Sequence, residues 1–399
     1  MIIPESNLKS KMFFNLSKQN KRRVFLDYAS TTPTDERVFL AMREAEKFFA
    51  NPSALYREGS DAGRILEESR DMVAEVLSCK SQEVIFTSSG TESCNLAVRG
   101  FIDKPEKSHI VTTTIEHPAV LESCKALERR GASVTYVDVG QNGVVSVDRV
   151  LEAIKPETRL VSVMYVNNEI GTVQPIRKIG VEIEKIRKER SSSIYFHSDA
   201  SQAPCYLNIK PENLKVDGLT LDGSKIYGPK GVGVLFSKSG FKLEPVIYGG
   251  GQEFGVRSGT ENNVSLRGMA KALQVAVLLM PSEKERVAKL RDELLNQITS
   301  LLPSITVNGD SNEKVSHIAN VCIPDSDSEF LVMKMDALGL ACSSASSCKA
   351  KHKGASSYVL KAIDREDCAS SSLRFSLGRQ TTAEDISFAT EVLKQVLDL

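Results

Sequence analysis

The residues of this 399-residue chain best placed to do chemistry begin with Lys225, in the stretch Val216–Phe236 that reads VDGLTLDGSKIYGPKGVGVLF. Two apolar runs flank a glycine-rich segment with one proline, the pattern of strand, exposed turn and strand. That turn carries Asp222, Ser224, Lys225 and Lys230. A lysine presented at the mouth of a sheet by a rigid scaffold is well placed to hold a cofactor covalently. Read in isolation Lys225 is an ordinary solvated lysine, so the other clusters decide its meaning.

Phe86–Asn95, FTSSGTESCN, runs from a strand end through Ser88, Ser89, Gly90 and Thr91 into a helix. Small residues let backbone amides approach an anion, and the helix N-terminus adds partial positive charge, so a phosphate fits there. The same residues also make a capping turn, with Ser89 or Thr91 satisfying the first helical amides. No GK[ST] ending follows, which argues against a nucleotide P-loop. In TIEHPAV, His117 follows a strand and precedes Pro118 at a helix start, where an imidazole can stack on a ring, shuttle protons or simply cap. In YFHSDASQ, Asp199 and Gln202 again stand at a strand end. A carboxylate there can pair with a protonated ring nitrogen and the amide with a ring hydroxyl; the alternative is an Asx turn. Finally, Cys348 lies among small polar residues with Lys349, Lys351, His352 and Lys353 close behind. Neighbouring cations lower a thiol's pKa, which makes Cys348 the best reactive cysteine. Cys342 reads as a packed strand residue, and Cys342, Cys348 and His352 match no zinc spacing.

These clusters need a scaffold that brings strand ends together. Strand-like runs recur at Glu83–Thr87, His109–Thr113, Ser133–Val137, Leu160–Tyr165, Ile194–His197, Val216–Leu221 and Gly233–Phe236, with helical segments at Cys94–Phe101, Ala119–Arg130 and Ile176–Arg190 between them. Repeated βα units predict an α/β fold whose large, mostly parallel sheet carries helices on both faces, with ligands at the carboxyl ends of its strands. A helical pattern starts near Asp35 and a second at Ser60, a candidate N-cap. After Thr260 the texture becomes α+β: a helix from Leu266 ending at Pro281, a further helical stripe, three strands and a last helix from Ala383. The expected boundary lies there, giving a large cofactor-binding domain over 33–280 and a small domain of 1–32 plus 281–399 that carries the Cys348 loop.

Totals narrow the function. Lys+Arg and Asp+Glu are both 51, so no polyanion or acidic membrane surface is indicated as a partner and nucleic acid is set aside. No run approaches the ~20 apolar residues of a spanning segment. Eight cysteines without a CxxC pair read as reduced thiols in a cytoplasmic protein rather than as disulfides. The basic opening of the chain keeps an organellar matrix open as the other location.

Taken together, the motifs resemble the cysteine desulfurases of iron–sulfur cluster assembly, pyridoxal-phosphate enzymes of the class V aminotransferase group and of fold type I. The resemblance runs from Phe25–Pro33, FLDYASTTP, to Ser372–Arg379, SLRFSLGR, through Ser89–Ser93, Glu116-His117, Val166–Gly171, Asp199 with Gln202, Lys225–Gly231, Gly249–Glu253 and Arg257–Thr260. It implies that Lys225 holds pyridoxal 5'-phosphate, that Asp199 pairs with the pyridine nitrogen, and that Gln202 and Asn168 contact ring substituents while His117 stacks. Gly90 and Thr91 would hold the phosphate with help from Ser224, and Thr260 would reach the phosphate of the neighbouring subunit of a homodimer. Arg374, with Asn168, would bind the substrate carboxylate. Cys348 would take sulfur from L-cysteine as a persulfide, leaving alanine, and pass it to an acceptor such as an iron–sulfur scaffold protein.

Two places depart from the pattern. Members usually read serine, glycine, histidine, lysine where this chain has Asp222-Gly223-Ser224-Lys225, and they have glycine and alanine where Ala345 and Ser347 stand. The chain ends at Leu399 soon after its last helix, where many members continue into a scaffold-docking tail. An aminotransferase or selenocysteine lyase on the same fold, or a non-catalytic scaffold with an impaired cofactor site, are the competing readings.

Overall fold

The computed structural model describes residues 22–190, 193–344 and 356–399. After a short β1 (Val24–Phe25), strands β2 (Val84–Thr87), β3 (His109–Thr113), β4 (Ser133–Val137), β5 (Thr158–Ser162), β6 (Tyr195–Asp199), β7 (Gly218–Asp222) and β8 (Gly233–Ser237) overlap the seven predicted runs, with β5 lying earlier than expected and ending at Ser162 rather than Tyr165. All but β1 join one seven-stranded sheet in the order β2-β8-β7-β6-β5-β3-β4. Only β8 runs against its neighbours β2 and β7; the other pairs are parallel. Strands β3, β6 and β8 are buried at every position. Burial on both faces is why they show no alternation of polar and apolar positions, and why the polar side chains inside them must find partners. His197 inside β6 is accommodated because both ring nitrogens bond hydroxyls, Nδ1 with Ser162 Oγ at 2.9 Å and Nε2 with Thr220 Oγ1 at 3.0 Å. Burial lowers its pKa to about 4, so it stays neutral.

Helices α1 (Glu36–Ala45), α2 (Arg57–Leu77), α3 (Gly90–Gly100), α4 (Pro118–Glu128), α5 (Val147–Glu152), α6 (Ile176–Arg190), α7 (Pro211–Leu214) and α8 (Asn263–Leu301) connect or cover these strands. Helix α2 starts at Arg57, ahead of Ser60, because Ser60 already sits inside the first turn and its hydroxyl donates to the Tyr56 carbonyl. The larger departure is α8, which does not stop at Pro281 but continues to Leu301. Residues around the proline, from Leu278 to Glu285, face mostly outward. Water can serve a carbonyl freed there, and the helix is held at both ends instead. Its first half buries Leu266, Met269 and Leu273 among α1 and α2; its second half buries Val287, Leu294 and Ile298. By length and composition alone α8 could span a bilayer, yet these apolar side chains form protein core.

The remaining chain builds a second sheet in the order β12-β13-β10-β9, from β9 (Thr306–Val307), β10 (Ile318–Cys322), β12 (Ser343–Ser344) and β13 (Ser372–Ser376), all antiparallel. Strand β11 (Leu340–Ala341) pairs in parallel with β1, tying the start of the described chain to this block. Helices α9 (Ser328–Ala337), α10 (Tyr358–Ala362) and α11 (Ala383–Val396) complete it. The expectation that no cysteine is bridged fails here, since Cys322 and Cys368 form a disulfide with Cα atoms 5.3 Å apart. Pairing of β10 with β13 sets Cys322 opposite Ser372 and so brings the turn just before β13, with Cys368, within reach across 46 positions, a proximity that no local spacing could show.

Candidate active site

The parallel arrangement points the carboxyl ends of β2, β3, β5, β6 and β7 the same way, where an open α/β sheet binds ligands. A cavity of about 290 Å³ lies there. Its wall includes Gly90, Thr91, His117 and Asn168 together with Asp199, Gln202, Lys225 and Arg374. Eight candidates scattered over nearly 300 residues are thus brought to one place. Asp222 and Ser201 also line it, as do Ser30 and Ser344.

Lys225 closes a 3-10 turn, Gly223–Lys225, that follows β7 directly. Thr32 locks this turn: its N–H donates to the Ser224 carbonyl at 2.8 Å and its hydroxyl accepts from Tyr227 N at 2.7 Å. Tyr227 holds a positive φ of 63°, and its hydroxyl accepts from Arg379 N at 2.7 Å. The ammonium of Lys225 donates to the carbonyl of Ser30.

Asp199 ends β6. Its Oδ1 accepts from Ser201 N at 3.0 Å and Ser201 Oγ at 2.6 Å, an Asx turn, while Oδ2 faces the Cys94 thiol at 3.6 Å. The turn and the cavity-facing position coexist. His117 is the N-cap of α4, with Nδ1 accepting from Ala119 N at 3.1 Å. Burial, more than any charge, lowers its pKa, which keeps a neutral ring with its proton on Nε2. Glu116 before it is fully buried, and burial raises its pKa to about 8. Its Oε1 accepts from Thr113 Oγ1 at 2.7 Å and Met164 N at 2.8 Å.

Gln202 donates from Nε2 to the Ala29 carbonyl at 2.8 Å and accepts at Oε1 from His317 Nε2 at 3.1 Å. Burial pushes the His317 pKa down to about 3, so this imidazole stays neutral, stacked on Tyr206 with centroids 4.3 Å apart. Sequence reading missed His317, since nothing local marks a histidine 115 residues away as the partner that orients Gln202.

Arg374 reaches the cavity from β13, almost fully buried. It donates to the Asn168 carbonyl at 2.8 Å, Asp27 Oδ1 at 2.7 Å and Ser30 Oγ at 2.9 Å. Asp27, its charge partner, also went unremarked in the sequence. Ser224 is absent from the cavity wall: its N–H and hydroxyl both donate to Asp222 Oδ1, at 2.8 Å and 2.6 Å. Thr260 is exposed and outside the cavity. Its loop is fixed by the buried pair of Arg70 and Glu253, 2.7 Å apart. Cys348 and His352 lie outside the described residues; Ser344, on the wall, is the last described residue before them.

The site fits pyridoxal phosphate. Asn168 Oδ1 and Arg374 Nε are buried polar atoms without a hydrogen-bond partner among the described residues, and both residues line a cavity that also holds a lysine and a strand-end carboxylate. Such orphaned atoms are costly unless a ligand serves them.

The class V aminotransferase family model matches residues 24–388. A cysteine desulfurase IscS of Dictyoglomus turgidum is 38% identical over 382 residues, covering 95% of each chain. A probable mitochondrial cysteine desulfurase of Dictyostelium discoideum is 39% identical over 402 residues, covering 98% of this chain and 87% of that protein. The solved structure of a NifS-like protein superposes with a TM-score of 0.87 at 30% identity, covering 94% of this chain and 99% of that one. The chain belongs to the class V aminotransferase family of pyridoxal-phosphate enzymes, and within it to the cysteine desulfurases. Cysteine is the substrate of cysteine desulfurases.

Proposed function

We propose that this chain is a homodimeric, cytoplasmic cysteine desulfurase that delivers sulfur to an iron–sulfur scaffold protein, with the cavity residues in the following roles. Pyridoxal phosphate supplies, when bound, a ring that accepts the negative charge developing at the substrate α-carbon. Lys225 holds the cofactor at rest and, as a free amine, takes the α-proton. Asp199 keeps a proton on the ring nitrogen, and Glu116, neutral beneath it, adds no second charge to that end of the site. Gln202, oriented by His317, and Asn168 meet the ring substituents while the neutral His117 stacks. The phosphate lies at the start of α3 beside Gly90 and Thr91, where the Gly90 N–H is shared with Asp222. Arg374, already oriented by Asp27, takes the substrate carboxylate with Asn168.

Cys348 then attacks the substrate sulfur as a thiolate. The carbon–sulfur bond breaks, a sulfur–sulfur bond forms, Cys348 leaves as a persulfide and the released three-carbon fragment takes up a proton to become alanine. Thr260 serves the cofactor phosphate of the partner subunit, a role supported by its exposure away from its own cavity. The division at 33–280 against 1–32 plus 281–399 is supported by the two separate sheets and by the pairing of β1 with β11.

The observation that carries this reading is the convergence of Lys225, Asp199, His117 and Arg374 on one cavity. Incubating the cofactor-loaded protein with L-cysteine and a reductant tests it. Alanine and sulfide in equal amounts are expected, and a Cys348→Ala variant with undiminished alanine production would remove the mechanism.

A further inference from the structure

The phosphate end of the cavity already holds an anion. Asp222 ends β7, and its Oδ2 accepts the Gly90 N–H at 3.0 Å, the first residue of the 11-residue helix α3. Its Oδ1 is occupied by Ser224. A side chain on Gly90 would meet Asp222 Oδ2 at 3.0 Å and Ser201 Oγ at 3.1 Å, so the carboxylate lies against the space that glycine leaves open. An incoming phosphate therefore meets both a donor already in use and a like charge. The charged or titratable groups around it are Lys225 on its own turn, His117 at the start of α4, Asp199 at the end of β6, and Glu92 on the first turn of α3 with its ion-pair partner Arg257.

Resting on the cofactor placement given above, we propose that Asp222 is a specificity-determining residue that makes phosphate binding proton-linked. The phosphate enters with one proton taken from solvent, held between a phosphate oxygen and Asp222 Oδ2, and the dianion is selected against. A phosphate monoester gives up its second proton near pH ~6. Above that, one proton is taken up per phosphate bound, and the advantage conferred by the phosphate falls about tenfold per pH unit.

The test compares pyridoxamine 5'-phosphate with pyridoxamine on the full-length chain freed of cofactor, by titration from pH 6 to 9. Neither probe reacts with Lys225, and titration of His117, Asp199 or the probes' shared groups cancels in the ratio of their Kd values. In the native chain the ratio is expected to shrink roughly a hundredfold between pH 6 and 8. Asp222→Asn keeps an oxygen for Ser224 and loses the charge; it should flatten the profile and tighten pyridoxamine 5'-phosphate at pH 8 by roughly ten- to a hundredfold, with pyridoxamine unchanged. Asp222→Ser, a second route to the same loss of charge, should behave alike. A ratio independent of pH in the native chain, or an unaltered slope in both variants, overturns the inference alone. Failure of both probes to bind the native chain overturns the cofactor placement and the inference with it.

Discussion

Two aspartates end neighbouring parallel strands and are built alike. Asp199 and Asp222 each use Oδ1 to accept the N–H and the hydroxyl of a serine two residues on, Ser201 and Ser224. They part at the second oxygen. Among the described residues Asp199 Oδ2 has only a weak thiol donor, Cys94, which leaves its charge to a ligand, whereas Asp222 Oδ2 is engaged by the Gly90 amide at the start of α3. The same local turn thus yields a ligand-directed charge in one strand and a protein-directed one in the next. What differs is the part of α3 that lies opposite: a side chain in its second turn, or an open N–H at its first residue.

Lys225 lines the same cavity as the two carboxylates, and its removal is the largest perturbation. Lys225→Ala should abolish the visible absorbance of covalently held cofactor and cut alanine formation by about 10³-fold or more. Next, Asp199→Asn should lower the rate by about 10²-fold with cofactor saturating, while Asp222→Asn changes it by less than about tenfold. Equal losses would erase the distinction drawn between the strand ends.

Stability against pH sharpens the contrast, since the groups behind the ring end titrate far from their ordinary values. His317 has a folded pKa of about 3 against 6.5, so the unfolded chain binds the extra proton between those values. Its contribution is intact above pH 6.5 and declines as pH falls toward 3, a slope that melting curves of His317→Gln should lack. Glu116 has the opposite sign. With a folded pKa of about 8 against 4.5, its contribution is full below pH 4.5 and is lost as pH rises to about 8. Glu116→Gln should therefore raise Tm by about 2–4 °C at pH 8 and leave it unchanged at pH 4.5. Equal melting temperatures at pH 8 would mean that Glu116 is already ionised beside Asp199.

Much of this molecule was legible before folding. The strands of the large sheet were readable because short β-branched and aromatic stretches recur between turn signals, and α6 spans the residues its periodicity predicts, Ile176–Arg190. Lys225, Asp199, His117 and Gly90 were readable as candidates because each sits at a strand end next to turn or cap chemistry. Tertiary structure decided the rest. Packing at both ends carried α8 through Pro281 against its local signal, and strand pairing brought Cys322 to Cys368. Arg374 found Asp27 across 347 residues, Gln202 found His317 across 115, and Asp222 turned to Gly90 across 132. Periodicity and turn chemistry report what a residue does within a few positions of itself. Which charge ends up facing the ligand depends on the element packed opposite, and that is known only once the chain has closed on itself.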